Sequence, residues 1–284
     1  MSGLDEEFDY MPLLGTLEPA ATRIKYTEGD EWAPLSCATP QSTVVNGDPA
    51  PSASSDFDPH LHFAHGGKAD FRGRNGVYYN FFSAPNFAVN LRTDQAIFVQ
   101  HGSKTIVNGS FFTEAHVVAR VGGGDSGREW ANVSLWGLPQ LGGAVLNGTC
   151  GATPFALTSR GYMDCHDLAI RTTDFSAFLL FRNWSVTIGR YKVHRPISGP
   201  AHRLDVSFSG SAAAAERALP HGIIGQSFAS KLPLNGKQDK YPSDGSRFTT
   251  SAMAEGALEG TAAMYEVPSS FATDFAFSRF RKAA

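Results

Sequence analysis

Between Val77 and Gly210 short apolar runs alternate with turn-forming residues, and within the runs the alternation has a period of two. Leu204-Asp205-Val206-Ser207-Phe208-Ser209 is the clearest case, with Leu204, Val206 and Phe208 on one face of a strand. Val77–Ser83 and Phe87–Arg92 flank Ala84-Pro85-Asn86, a hairpin connection. Phe178–Phe181 and Trp184–Ile188 flank Arg182-Asn183 in the same way. Further strands are expected at Ala96–Gln100, Thr105–Asn108, His116–Val121, Trp130–Trp136 and Tyr191–Val193. Many short strands at this spacing predict an all-β fold, an antiparallel β-sandwich or a twisted barrel-like sheet, rather than βα units. The one convincing helix is Ala212–Leu219, an Ala-rich run before Pro220, so helices are short at most.

The two ends read differently. Residues 1–55 carry Pro12, Pro19, Pro34, Pro40, Pro49 and Pro51 and predict an extended Pro/Ser-rich arm or linker. Residues 56–230 form the β domain. Residues 231–284 form a C-terminal extension whose Phe271, Phe275, Phe277 and Phe280 pack on it. No repeat with a period of 20 to 50 residues is visible.

Composition narrows the function classes. The 284 residues carry a net charge of -3, so no basic field points to nucleic acid. No run of about 18 apolar residues occurs, so membrane insertion is not expected. The acidic start Met1-Ser2-Gly3-Leu4-Asp5-Glu6-Glu7 shows no signal peptide. Three cysteines, Cys37, Cys150 and Cys165, fit a reduced cytosolic protein by count. Cys150 and Cys165 also bracket a short segment of the β region, where a disulfide would close a small loop. Both readings stand at this point. Asn-x-Ser/Thr sequons at Asn108, Asn132, Asn147 and Asn183 are compatible with N-glycosylation of a secreted protein.

Three motifs invite chemistry. Gly124-Asp125-Ser126-Gly127 resembles the nucleophile segment of chymotrypsin-like proteases, but Arg128 follows it, and the only nearby histidine, His116, is ten residues away. The glycines Gly122, Gly124 and Gly127 spell a dinucleotide fingerprint, yet the strand-like Trp130–Trp136 follows instead of a helix. The segment reads as a glycine-rich hairpin turn. The third motif, Asp58–Gly76, is the densest. His60 and His62 share a strand face, and His65 would add a third nitrogen, a set Zn²⁺ accepts and one that resembles the metal strand of cupins. A metal-dependent enzyme using His60, His62 and His65 is therefore an alternative reading.

Asp58-Pro59-His60, Ala69-Asp70-Phe71-Arg72-Gly73 and Tyr78/Tyr79 resemble the opening of von Willebrand factor D-type domains. His221-Gly222-Ile223-Ile224-Gly225-Gln226 resembles their late segment, in the style of cysteine-poor root-cap proteins and inter-alpha-trypsin inhibitor heavy chains of protist or algal type. The resemblance spans about residues 56–230 and is specific at its two ends. It implies a non-enzymatic structural or adhesive module of an extracellular or cell-surface assembly, with protein partners. It also implies Ca²⁺ held by Asp70 together with Asn235, Asp239 and Asp244. A third reading is an accessory subunit of a larger complex that grips neighbours through its termini.

Overall fold

The computed structural model describes residues 50–122 and 128–277. The Gly124–Gly127 turn and nearly all of the expected arm lie outside them. The fold is all-β, as the alternation implied. Strands are numbered along the chain. Nine antiparallel strands form a nearly closed, barrel-like sheet. In spatial order they are β10 (Tyr162–Cys165), β11 (Leu168–Thr172), β12 (Ser176–Phe181), β13 (Trp184–Lys192), β15 (His202–Gly210), β6 (Ile106–Val121), β7 (Glu129–Trp136), β8 (Leu146–Cys150) and β9 (Thr153–Leu157). The join between β15 and β6 is narrow, a single opposed pair of Leu204 and Phe112. At the far seam a disulfide between Cys150 and Cys165 ties the end of β8 to the end of β10, with Cα atoms 5.8 Å apart.

The remaining strands branch from this ring. β1 (Ser52–Asp56) pairs with β15, and β2 (His60–His62) and β3 (Lys68–Asp70) follow it outward. β4 (Val77–Ala84) and β5 (Phe87–Val99) extend from β6. Among the described residues three short strands complete the set: β14 (Pro196–Ser198) on β5, β16 (Arg247–Thr249) parallel to β6, and β17 (Glu266–Val267) on β4. All but the last residue of β1 falls inside the stretch read as arm, because its inward residues are only Ala53 and Ser55 and give no apolar alternation. Ala96–Gln100 continues Phe87–Arg92 within β5, and Thr105–Asn108 continues into His116–Val121 within β6; a bulge at Arg92/Thr93 absorbs the polar interruption.

The expected helix is α1 (Ala212–Ala218), started by Ser211, whose side chain accepts the Ala214 N–H. It stops at Leu219, which takes a left-handed φ of 46° before Pro220. A second helix, α2, is a single turn at Gln226–Ala229.

The core is built around phenylalanines. A bulge in β4 between Asn80 and Phe82 leaves Phe81 unpaired in the ladder, and both phenyl rings are buried. Phe81 meets Phe71 and Phe112 at ring distances of 5.5 and 4.8 Å. Phe82 meets Trp184 of β13, Phe208 of β15, Phe87 of β5 and Phe228 of α2, all within 5.9 Å. The carbonyl freed by the bulge is used: Phe81 O accepts N–H bonds from Ile224 and Gly225. Gly222, at φ 102°, must be glycine here, since a Cβ would stand 2.7 Å from the Phe81 backbone. Truncation of Phe82 to alanine should lower unfolding free energy by about 3–5 kcal/mol in a denaturant titration, and a loss below about 1 kcal/mol would show that Phe82 does not link these elements.

Candidate functional site

The Asp58–Gly76 run folds back on itself. A turn at Phe57, with φ 56°, sends the chain from β1 into β2, and the β2–β3 register sets His60 directly opposite Asp70. His60 Nδ1 lies 2.6 Å from Asp70 Oδ1, and His60 Nε2 lies 3.4 Å from Asp58 Oδ1. From far along the chain, the Tyr241 hydroxyl donates to Asp58 Oδ2 and its ring edge meets the imidazole at 5.9 Å. The other oxygen of Asp70 accepts the Asp239 N–H at 2.6 Å.

Electrostatics follow from this geometry. Burial opposes a charge on His60, but the hydrogen bonds and negative charges of Asp58 and Asp70 outweigh it and push its pKa up to about 10. Burial and the neighbouring Asp58 push the Tyr241 phenol up, so it remains a donor. The result is an imidazolium held between two carboxylates, with both ring nitrogens committed as donors.

That state has no nitrogen lone pair to offer a metal. His62 Nε2 looks to Asp56 Oδ1 at 3.9 Å, while His65 is exposed in a turn at φ 64°. The ligand atoms of His60, His62 and His65 do not gather within 4.8 Å of one another. Of the four residues implied for Ca²⁺, three come to the edge of β3. Asp70 is engaged as above, Asn235 Oδ1 accepts the Lys68 N–H at 3.3 Å, and Asp239 accepts the N–H groups of Ser251 and Ala252. Asp244 stands apart on the turn before β16, where it accepts the Ser246 N–H. Ca²⁺ at β3 would have to displace these donors.

The sequons differ in setting. Asn183 is exposed in the β12–β13 turn. Asn108 accepts from Arg72, Asn132 has a buried amide oxygen, and Asn147 is half-buried in β8.

One polar constellation escaped the sequence reading. Glu114 and His116 sit two residues apart on β6, and His116 is opposite Ser134 of β7. His116 Nδ1 is 2.7 Å from Ser134 Oγ, and His116 Nε2 is 2.9 Å from Glu114 Oε2. Tyr78 and Arg92 also bond Glu114. Burial raises the Glu114 pKa, but these partners prevail and hold its carboxyl down at about 2. The order serine, histidine, carboxylate is that of a hydrolytic triad. Here, however, Phe271 covers the imidazole at 5.3 Å and the histidine side chain is 4% exposed, so the group acts as a sealed tie between strands. Only strand register could have revealed it. A cavity of about 330 Å³ lies elsewhere, lined by Arg74, Met253, Leu258, Thr261, Ala262 and Glu266.

No protein-family model matches the chain, and no curated protein sequence matches it.

The raised pKa of His60 fixes a pH dependence. A group raised from 6.5 to about 10 on folding stabilises fully below 6.5, and that contribution disappears as pH rises through 10. His60→Gln should therefore cost about 2 kcal/mol near pH 6, the scale of hydrogen bonds to a charged group. The gap from wild type should close toward pH 10 in thermal melts. A gap independent of pH would contradict the charged clasp.

Proposed function

We propose that the chain is a non-enzymatic structural or adhesive β module of an extracellular or cell-surface assembly, and that it docks a protein partner on the outer face of β10–β13. The observation that carries this is an apolar patch on that face. Phe178 and Leu180 of β12 point outward at 43% and 44% exposure, Tyr162 of β10 is 47% exposed, and Phe175 just before β12 is 69% exposed. Register places Tyr162 opposite Arg171 and Arg171 opposite Phe178, so the side chains form one row across three strands. The Arg171 guanidinium lies 5.6 Å from the centre of the Tyr162 ring. Contiguous apolar surface rimmed by polar groups marks interaction sites, and aromatic residues with arginine are the anchors that dominate such interfaces.

Two further features support the placement. Cys150 and Cys165 are joined, as suits an oxidising compartment. The Asn183 sequon sits on an exposed turn, where an oligosaccharide has room. The resemblance to D-type domains points the same way. Residues beside its two landmarks meet in space, where the Ala64 N–H donates to Ser227 Oγ at 3.1 Å.

A photo-crosslinking phenylalanine analogue at position 178 of the full chain tests the docking face. Exposed to native extract, it should yield a defined protein adduct by mass spectrometry, competed away by unlabelled wild type but not by a Phe178→Ser/Leu180→Ser variant. No adduct, or equal competition by that variant, would remove the docking face. Separately, glycopeptide mapping of native material should find a glycan at Asn183 and none at Asn132; an unmodified Asn183 with free Cys150 and Cys165 thiols would overturn the extracellular placement.

A further inference from the structure

The seam of the barrel holds more than a disulfide. Glu129 starts β7 and Cys150 ends β8, while His166 follows Cys165 in the β10–β11 turn with a left-handed φ of 57°. A carboxylate oxygen of Glu129, Cys150 Sγ and an imidazole nitrogen of His166 all lie within 4.8 Å of one another. His166 Nε2 faces Glu129 Oε2 at 3.9 Å. Among the described residues this is the one such grouping of histidine, cysteine and carboxylate side chains. Cys165 Sγ is bonded to Cys150 Sγ, so the disulfide holds a second sulfur beside this grouping. The approach of Glu129 depends on Gly151. At φ 57° it lacks the Cβ that would stand 2.2 Å from Glu129 Oε2, so the glycine leaves room for the carboxylate beside the sulfur.

We propose that reduction of Cys150–Cys165 creates a four-ligand Zn²⁺ site of two thiolates, His166 and Glu129, so that the seam is clasped either by a disulfide or by zinc. Two cysteines, one histidine and one carboxylate are ligands of the kinds zinc selects, at about 2.3 Å for sulfur and 2.0–2.2 Å for nitrogen and oxygen. Around a tetrahedral ion two thiolates stand roughly 3.8 Å apart. Side-chain rotation opens the sulfurs to that separation while the Cα atoms remain near 5.8 Å. The chemistry balances in two steps. A dithiol reductant exchanges with the disulfide, leaving two protein thiols while the reductant itself becomes the disulfide. Zn²⁺ then binds both sulfurs and displaces two thiol protons to solvent, with a nitrogen of His166 and a carboxylate oxygen of Glu129 completing the shell. Both of these last groups are largely exposed, at 40% and 48% of the side chain, so the ion has an entry path.

The test uses the full chain with Cys37→Ser, which removes the third thiol. After reduction with a dithiol and removal of the reductant, Co²⁺ as a spectroscopic stand-in should bind one per chain with a thiolate charge-transfer band, and Zn²⁺ should displace it. The oxidised chain should show no such band. His166→Ala and Glu129→Gln, each away from the core, should weaken Zn²⁺ binding to the reduced chain by about tenfold or more while leaving the oxidised fold unchanged by circular dichroism. Absence of a stoichiometric band would overturn the site, as would equal affinity in both variants. A reduced chain that unfolds and is not refolded by Zn²⁺ would overturn it as well.

Discussion

The bulge at Phe81 in β4 is the constraint on which the rest of the structure depends. By breaking the ladder with β5 for one residue, it sends two successive phenyl rings into separate aromatic groups. Phe82 alone touches strands β5, β13 and β15 and helix α2. The same break frees a carbonyl, and the His221–Gln226 segment folds onto it through Ile224 and Gly225. That segment then carries α2, whose Ser227 receives the turn after β2. A local irregularity in one ladder thus connects the barrel, the helical corner and the histidine-rich turn.

Much of this architecture is legible in the chain. Where one face is buried and the other wet, alternation marks the strand, as in β15 with Leu204, Val206 and Phe208 inward. The signal fails where inward residues are small, as with Ala53 and Ser55 of β1. It also fails where one strand outruns its apolar pattern, as β6 does across 16 residues. Asp58, His60 and Asp70 are prominent as a cluster, and their pairing depends only on a local hairpin. Tyr241 is 183 residues from Asp58, so no local pattern announces its bond. The choice between an imidazolium and a metal ligand turns on the carboxylates around His60, and these are fixed by register rather than by composition.

The outer surface of the barrel divides by the same logic. Outward positions of β1, β13 and β15 include Ser52, Ser54, Ser185, Thr187, Ser207 and Ser209, small hydroxyls suited to a wet sheet face. On β12 the outward positions are instead Phe178 and Leu180. The change occurs between adjacent strands, since Thr187 is opposite Phe178 and Ser185 is opposite Leu180. Stability gains little from exposed phenylalanine, and contiguous apolar surface of this kind is the basis of the proposed docking face.

The disulfide at the seam also alters what a cut in the backbone would mean. Cys150 and Cys165 enclose β9 and the turn leading to β10, a stretch on the barrel margin with exposed residues at Thr153, Pro154, Ala156, Thr158, Ser159 and Arg160. Proteases favour such margins. A nick anywhere in that stretch leaves both halves of the chain joined covalently, and because the two halves also interlock through β6 and β15, the cleaved molecule stays one body. The break would be silent until a reductant arrives, when the nicked chain would run as two pieces under denaturing conditions.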